Sequence, residues 1–317
     1  MKIFNIYCFI QFFVLFGNVA VAKGADIRCY NGSFNNFLVF SLNNPEPILS
    51  TSFYDSVLKT VFYIFGFGGK AEGKSIQAIV NAFLGMANIC LLNWEREASP
   101  GILGPISYPV TAIPNTIRIG NEFGESLIKL HNAGLNLSNV HVIGFSLGAQ
   151  LVGYSGRKVQ EYNTNIGRIT GLEPSKPFFD GVISLRSLSA SDASFVDIIH
   201  TNPNGLGSGE ATGSVDIWPN CGNSIQPGCD EMALGISNAN LCSHDLSWKY
   251  FAEAIKYPSA FVARSASDCS AWKAGQATNE TIYMGDDINT KFFIRHFTYC
   301  LVEMLQWFSK RLRCDVT

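Results

Sequence analysis

The sequence predicts an α/β fold in which a mostly parallel sheet is covered by helices on both faces. Short runs of apolar, β-branched or aromatic residues, which are typical of strands, alternate along the chain with longer segments of helical periodicity. Such alternation favours strands joined by helices, and therefore a parallel sheet with two covered faces. The chain has 317 residues, which suits one large domain of this class once a leader segment is removed.

The predicted elements follow this alternation from the N-terminus onward. Strands are expected at 37–42, 60–65, 88–93, 140–143, 166–172, 195–200 and 215–218. Helices are expected at 74–84, 113–130, 147–158 and 244–256, the second with Pro114 near its start. Segments 202–213 and 220–240 are rich in Gly, Asn and Ser, so they are predicted to be loops within one domain.

The first 22 residues have the pattern of a cleavable secretory signal. Lys2 precedes an apolar run at 3–16, and the small residues Ala20 and Ala22 follow it. One folded domain is then expected over 23–290. We predict a secreted protein, soluble because no second apolar run reaches membrane-spanning length without a charge.

Cysteines and sequons agree with export. Removal of Cys8 with the signal leaves an even number of cysteines, expected to pair in an oxidising compartment, at positions 29, 90, 221, 229, 242, 269, 300 and 314. Glycosylation is predicted at the three Asn-x-Ser/Thr sequons, Asn31, Asn136 and Asn279. The net charge of −2 and the scattered Lys and Arg residues disfavour nucleic acid as a partner.

The C-terminal tail, 291–317, differs in character from the domain before it. Apolar residues between 297 and 313 form one helical stripe, with basic residues at its end. We predict a helix here. It either packs on the core, as most amphipathic helices do, or lies on a lipid surface.

A Gly-x-Ser-x-Gly step at 144–148 suggests a nucleophile. It follows the strand-like run at 140–143 and precedes a helical segment, which is the context of a nucleophile elbow in an α/β-hydrolase. Side chains at Gly144 and Gly148 would collide with the turn or with the neighbouring strand. Ser146 would then lie beside a helix N-terminus, whose amides favour negative charge.

A serine nucleophile needs a base and an acid downstream in the chain. His244 is the candidate base, since it follows Cys242 at the start of a predicted helix, whereas His200 ends an apolar strand and is expected to be a core histidine. His296 is discounted because it lies in the tail. Glu173 directly follows a strand-like run, where α/β folds collect functional groups. Its competitors, for which turn capping is the alternative role, are Asp192, Asp197 and Asp216.

Several longer stretches carry a family resemblance up to about residue 285. The chain resembles the secreted lipase family of animals, which contains pancreatic-type lipases, phospholipases A1 and insect yolk proteins. The matching stretches are YIFGFGG at 63–69, NWEREAS at 93–99, VIGFSLGAQLVGYSGRKV at 142–159, RITGLEPSKPFF at 168–179, FVDIIHTNPNGLG at 195–207, VDIWPNCGNSIQPGC at 215–229 and CSHDLSWKYFAEAI at 242–255.

The resemblance implies a triad of Ser146, Glu173 and His244 on an α/β-hydrolase fold. It also implies an oxyanion hole made by the backbone N–H groups of Phe67 and Leu147. Glutamate stands where the family has aspartate and reaches one methylene further, so reduced or altered activity is one expected consequence. Phe65 stands where the family has histidine, which leaves the backbone donors unaffected.

The resemblance further implies a lid closed by a Cys229–Cys242 disulfide, with only the twelve residues 230–241 inside it. EMALGI at 231–236 is expected to form one apolar turn over the site. Cys269 lacks its usual partner, so Cys300 or Cys314 is expected to replace it, and the partner of Cys221 is left open.

No metal and no cofactor are predicted. The family's calcium loop is degraded, because Ser189 occupies one usual carboxylate position and Asp192 alone is retained. No lipid-binding β-sandwich follows the domain, so no colipase partner is implied.

The expected function is a secreted phospholipase A1-like lipase that forms an acyl-enzyme intermediate on lipid at a membrane or micelle surface. A short lid and a short loop at 202–213 go with phospholipase A1 or galactolipase action in this family. The alternative is a catalytically weak or inactive lipid-binding storage protein of the yolk type. Retention of Ser146 and His244 favours the enzyme, whereas Glu173 and Phe65 favour the alternative.

Overall fold

A computed structural model describes residues 24–182, 184–258, 260–286, 288 and 297–301. The predicted signal segment, His296 and most of the tail lie outside these residues. The strands are β1 Asp26–Asn31, β2 Ser33–Ser41, β3 Thr60–Ile64, β4 Asn88–Asn93, β5 Val140–Phe145, β6 Arg168–Leu172, β7 Val196–Ile199, β8 Val215–Pro219, β9 Val262–Ser265, β10 Thr281–Tyr283 and β11 Phe297–Leu301. The helices are α1 Lys74–Phe83, α2 Glu95–Ala98, α3 Ile113–Asn132, α4 Leu147–Gln160, α5 Glu231–Leu234, α6 Ile236–Lys256 and α7 Cys269–Lys273.

One sheet organises the described chain, in the order β10-β9-β11-β8-β7-β6-β5-β3-β4-β1-β2. The seven adjacent strands from β11 to β4 run parallel, and antiparallel pairs occur at the two ends. All the named strands belong to this one sheet, so the described residues contain no separate β-sandwich. The prediction of a single α/β-hydrolase domain with a mostly parallel sheet is confirmed.

Helices cover both faces because the chain reverses its direction of travel across the sheet after β4. The connection from β3 through α1 reaches β4 on one side, whereas the connection from β4 through α3 crosses to β5 on the other. Right-handed crossovers therefore place α1 and α3 on opposite faces. On these faces α1 contacts α6, and α3 contacts α4. The carboxyl ends of β3 and β5 thus form the switch point of the sheet, where α/β folds bind their ligands.

The predicted start of the fourth helix was wrong by eight residues. Helix α6 begins at Ile236, so His244 lies in its third turn instead of at its start. The polar composition of 236–241 suggested a loop, but these residues form the exposed first turns of a helix whose later turns are buried. Gly235, with φ of 78°, makes the break that separates α5 from α6.

The tail prediction also needs correction at its first residues. Phe297–Leu301 forms β11, which pairs parallel with β8 and antiparallel with β9, so no helix begins at Phe297. Aromatic and β-branched residues in this stretch suit a strand, and an open sheet edge supplies hydrogen-bond partners that sequence periodicity does not reveal. The predicted helix over the remaining residues of 291–317 lies outside the described residues.

Three disulfides join six of the described cysteines. Cys29–Cys90 joins β1 to β4, Cys229–Cys242 closes the predicted lid, and Cys221–Cys269 joins the loop after β8 to α7. The expectation that Cys269 pairs with Cys300 or Cys314 was therefore wrong, and the open question about Cys221 has the same answer. Both cysteines lie in polar loop segments 48 residues apart, a separation from which sequence alone gives no pairing.

A charged cluster closes the amino ends of the central strands. Arg168 donates from Nε and Nη2 to the two carboxylate oxygens of Asp197 at 2.8 and 2.9 Å, and from Nη2 to the Gly285 carbonyl. Lys59 pairs with Asp286. These contacts hold Gly285 and Asp286 against the amino edge of the sheet, opposite the switch point. Within the described residues, no helix combines the length and apolar character needed to cross a bilayer.

Removal of the buried cation should destabilise the domain strongly. Arg168→Met leaves the carboxylate of Asp197 buried without its partner, so we expect the free energy of unfolding to fall by about 3 kcal/mol or more in urea titrations. Arg118→Ala is the matched control, because Arg118 forms an exposed pair with Glu122 along α3, and such pairs contribute about 0.5 kcal/mol. Equal losses in the two variants would contradict this assignment.

Candidate active site

Ser146 occupies a strained turn between β5 and α4. Its φ and ψ are 55° and −120°, a conformation that side-chain-bearing residues rarely adopt. A Cβ at Gly144 would lie 2.5 Å from the Gly148 carbonyl oxygen, and a Cβ at Gly148 would collide with the carbonyls of Ile64 and Phe65. The predicted steric role of both glycines is confirmed, since one faces the turn itself and the other faces β3.

The chain after β3 lies directly against Ser146. A Cβ at Gly66 would lie 2.7 Å from the Ser146 Cβ and 3.2 Å from its Oγ, so only glycine allows this approach. The next residue, Phe67, is one of the two predicted oxyanion donors. The other, Leu147, is the first residue of α4, where backbone N–H groups have no partner within the helix. Among the described residues, no hydrogen bond occupies the N–H of Phe67 or Leu147.

A cavity of about 360 Å³ opens above this turn. Its walls are largely apolar, with the Phe67 and Tyr108 rings in edge-to-face contact at 5.2 Å and Leu241 of α6 also facing it. Ser146 and His244 both line this cavity. The structure therefore brings the predicted nucleophile and the predicted base to one apolar space.

His244 enters the cavity from α6 and is 6% exposed. Its ring lies 4.9 Å from the Phe145 ring, centroid to centroid, beside the residue that precedes Ser146. Burial lowers the pKa of His244 to about 3, so the ring is neutral at pH 7 and one nitrogen can accept a proton. The Nδ1 atom is buried and has no hydrogen-bond partner among the described residues.

Glu173 follows β6 and is completely buried. Its Oε2 accepts hydrogen bonds from the Thr201 amide, from the Thr201 Oγ1 at 2.9 Å and from the Asn202 amide at 2.7 Å. Its Oε1 has no partner among the described residues. Burial raises the pKa of this carboxyl to about 7, against the opposing effects of His200 and of these hydrogen bonds. Glu173 also has a φ of 48°, so its backbone shares the strained region with Ser146.

The structure does not join Glu173 to His244. His244 has a buried imidazole nitrogen without a partner, and Glu173 has a buried carboxylate oxygen without one. These two atoms are chemically complementary, but no hydrogen bond between them is formed in the described residues. The triad predicted from the sequence therefore stays a prediction at this contact.

The competing acids are engaged elsewhere. Asp192 accepts from Arg157 at 2.7 Å and caps a short turn, and Asp197 pairs with Arg168. Asp216 accepts from His200, whose ring is fully buried, as expected for a core histidine. Among the carboxylates weighed from the sequence, Glu173 and Asp192 each retain a buried oxygen without a hydrogen bond. The oxygen of Asp192, Oδ1, lies beside its arginines.

Sequence reasoning missed Tyr108, whose hydroxyl lies 2.6 Å from the Ser175 Oγ at the cavity wall. Its ring also approaches Phe178 at 6.2 Å. Tyr108 belongs to a Pro- and Gly-rich segment without strand or helix periodicity, so no sequence pattern pointed to it. Gly66 was also missed, although it lies within the quoted stretch at 63–69.

The lid is short, as expected. Inside the Cys229–Cys242 disulfide, α5 forms the predicted single turn, and the first turns of α6 follow it. Its apolar side chains are exposed, with Met232 97% and Ile236 68% accessible. Leu241 alone of these residues reaches the cavity wall.

The other predicted positions lie at the surface. The three sequon asparagines, Asn31, Asn136 and Asn279, are exposed, and their glycosylation stays a prediction. Within the described residues, no group of three metal-ligating side chains is found. The Asp192 carboxylate is bound by the Arg157 guanidinium and the Ser189 amide.

Comparisons with known proteins agree with this geometry. A family model described as Lipase matches residues 30–295. Pancreatic triacylglycerol lipase of Oryctolagus cuniculus is 32% identical over 269 residues, covering 76% of this chain and 56% of that protein. Lipase member H-A of Xenopus laevis is 32% identical over 224 residues, covering 70% and 46%. The chain spans about half the length of the curated relatives it matches.

The raised pKa of Glu173 predicts a pH-dependent stability. A carboxyl whose pKa is higher in the folded state contributes stability that is complete below its unfolded pKa, near 4.5, and is lost as pH rises through about 7. We expect the unfolding free energy of the wild type, relative to Glu173→Gln, to fall by about 3 kcal/mol between pH 4.5 and 8. Urea unfolding across this range measures it.

Glu122→Gln shows the effect of removing an exposed carboxylate and serves as the matched control. A stability difference between wild type and Glu173→Gln that stays constant over this pH range would contradict the assignment.

Proposed function

Because the chain belongs to the lipase family, we propose that it is a carboxylic ester hydrolase acting on lipids through Ser146, His244 and Glu173. The observation that carries this proposal is the strained turn that presents Ser146, with His244 on the wall of the same apolar cavity. An apolar cavity of this kind suits an acyl chain, and the serine and histidine supply the chemistry at one end of it.

In the proposed mechanism the neutral His244 ring takes the proton from the Ser146 hydroxyl. The oxygen attacks the ester carbonyl carbon, and the carbonyl electron pair moves onto its oxygen. The N–H groups of Phe67 and Leu147 stabilise that oxyanion, and each such donor lowers the barrier by about 3 kcal/mol. The oxyanion then re-forms the carbonyl and breaks the ester C–O bond, and the proton passes from His244 to the oxygen of the leaving alcohol. Water then attacks the acyl-serine by the same sequence of proton transfers.

Glu173 has the role of stabilising the imidazolium that forms on His244. We assign the buried Nδ1 of His244 to Glu173 Oε1, because each is a buried polar atom without a partner. The second oxygen, Oε2, stays bound to the amides of residues 201 and 202. The extra methylene of glutamate, relative to aspartate, lets the carboxylate turn about this anchored oxygen toward the ring.

We further propose phospholipid as the substrate, with phospholipase A1 action. The lid segment contains only α5 and the exposed start of α6. Hydrogen bonds to residues 174 and 176 hold the loop after β7 in a folded-back position. A small cover leaves room for a polar head group beside the scissile ester. The substrate is taken from a membrane or micelle surface, and no cofactor, colipase or nucleic acid takes part.

Export is part of the same proposal. Three disulfides among the described residues require an oxidising compartment to form and persist, and the three sequons are exposed. The signal pattern at 1–22 supports the same location outside the cell.

The second candidate is a lipid-binding protein of the yolk type with little or no catalysis. The observation that favours it is the missing hydrogen bond between Glu173 and His244. The two candidates differ in one measurable property, the nucleophilicity of Ser146.

A fluorophosphonate probe should label Ser146 covalently. We expect Ser146→Ala to abolish labelling and to lower ester hydrolysis at least roughly a thousandfold, because the attacking oxygen is lost. Ser175→Ala is the matched control, since Ser175 is a second serine on the same cavity wall. A wild-type chain that folds but takes up no probe would support the storage protein instead.

Mixed emulsions test the substrate. With phospholipid and triacylglycerol offered together, we expect fatty acid to be released mainly from the first glycerol position of the phospholipid. Positional analysis of the remaining lysolipid gives the site of cleavage. Preferential hydrolysis of triacylglycerol would overturn the phospholipid assignment and leave the ester hydrolase proposal intact.

A further inference from the structure

His200 follows β7 and lies fully buried next to the candidate acid. Its Nδ1 is 3.1 Å from the Ser208 carbonyl oxygen, and its Nε2 is 2.9 Å from Asp216 Oδ1. The Trp218 ring stacks on the imidazole, with centroids 3.8 Å apart and planes 6° from parallel. The ring is therefore held in one orientation by contacts on three sides.

The hydrogen-bond partners fix the number of protons on this ring. A backbone carbonyl only accepts, and Asp216 also accepts N–H groups from Thr212 at 3.2 Å and Gly213 at 3.0 Å, as an ionised carboxylate does. Both ring nitrogens of His200 therefore face acceptors, an arrangement that an imidazolium satisfies by donating from both. A cation stacked on an indole face is further stabilised by the ring quadrupole.

The same turn holds the Glu173 carboxylate. The residues directly after His200 supply the two amides that bind Glu173 Oε2, and the Glu173 amide donates to the Ile199 carbonyl at 2.8 Å. Gly207 closes the loop over this carboxylate, since any side chain there would collide with Oε1. The Ser208 amide also donates to Pro174 at 2.8 Å. The loop thus packs His200 and Glu173 into one water-excluding unit.

We propose that His200 is a positioning residue for the candidate catalytic acid, a buried imidazolium that favours the ionised form of the Glu173 carboxylate where solvent is excluded. The inference rests on the proposed function only for its effect on activity. The electrostatic relation between the two side chains stands on the contacts above.

The charges facing each group support this arrangement. Burial raises the pKa of Glu173 to about 7, and among the described residues His200 is the one charged side chain that opposes this shift. The titratable side chains that face His200 are Asp216, across a hydrogen bond, and Glu173. Removal of the His200 charge must therefore raise the pKa of Glu173 further, and the acid would be protonated at neutral pH.

His200→Gln removes the charge while retaining an N–H donor for Asp216. His141→Gln is the matched control, because His141 is an equally buried histidine that lies at the opposite edge of the sheet, bonded to Thr170 at 2.7 Å. The readout is the ¹³C signal of the Glu173 carboxyl, assigned by its loss in Glu173→Gln. We expect its midpoint to rise by about one pH unit or more in His200→Gln and to stay unchanged in His141→Gln.

The pH dependence of kcat/KM gives a second readout. We expect its acid limb to move upward by the same amount in His200→Gln, which is a roughly tenfold loss on the acid side. A purely structural role would lower the amount of active enzyme at every pH without moving the limb. Labelling of Ser146 corrects for the folded fraction.

The outcomes separate this inference from the proposed function. An unchanged Glu173 midpoint in His200→Gln overturns the inference. A shifted midpoint together with full activity of Glu173→Gln supports the inference and overturns Glu173 as the catalytic acid. If His200→Gln does not fold, ¹⁵N spectra of the wild-type ring decide: two protonated nitrogens on His200 at pH 7 support the inference, and a single one overturns it.

Discussion

The close approach of α4 to β3 is the constraint on which the site depends. The absence of a side chain at Gly148 lets the helix N-terminus reach the carbonyls at the end of β3. This contact holds Ser146 in the left-handed region, with the free amide of Leu147 next to it at the start of α4. Gly66, just after β3, also has no side chain and lets this segment lie against Ser146. The nucleophile, its strain and its candidate oxyanion donors therefore all follow from the steric fit of two chain segments.

The two edges of the sheet carry different sets of polar groups. At the amino edge, Arg168 meets both oxygens of Asp197, and Lys59 meets Asp286, so charge is neutralised within the fold. At the carboxyl edge, Glu173 and His244 each keep a buried atom without a partner. Unsatisfied buried groups cost free energy, and folds retain them where chemistry requires them. The structure thus places its paired charges and its candidate catalytic groups at opposite ends of the same strands.

Much of the fold was predictable because its signals are local. The seven predicted strands and the turn at Ser146 appear as short patterns in which each residue's role depends on its immediate neighbours. The start of α6 was not predictable, because Ile236 and its neighbours are exposed and carry no apolar periodicity. The Cys221–Cys269 pairing and strand β11 were missed for a related reason, since each depends on a partner distant in sequence. The triad residues were identifiable as types, but the orientation of Glu173 depends on the register of β6 against β7.

Helix α6 forms part of the lid and also part of the buried core, and this limits how the cavity entrance can open. The segment from Ile236 to Leu241 continues without a break into the buried turns that carry His244. A rigid movement of the whole lid segment would also move His244, and the Cys229–Cys242 disulfide ties the start of that segment to α6. Free movement is thus confined to about six residues that end at Gly235. The entrance to the cavity therefore changes in width only as far as these few residues move.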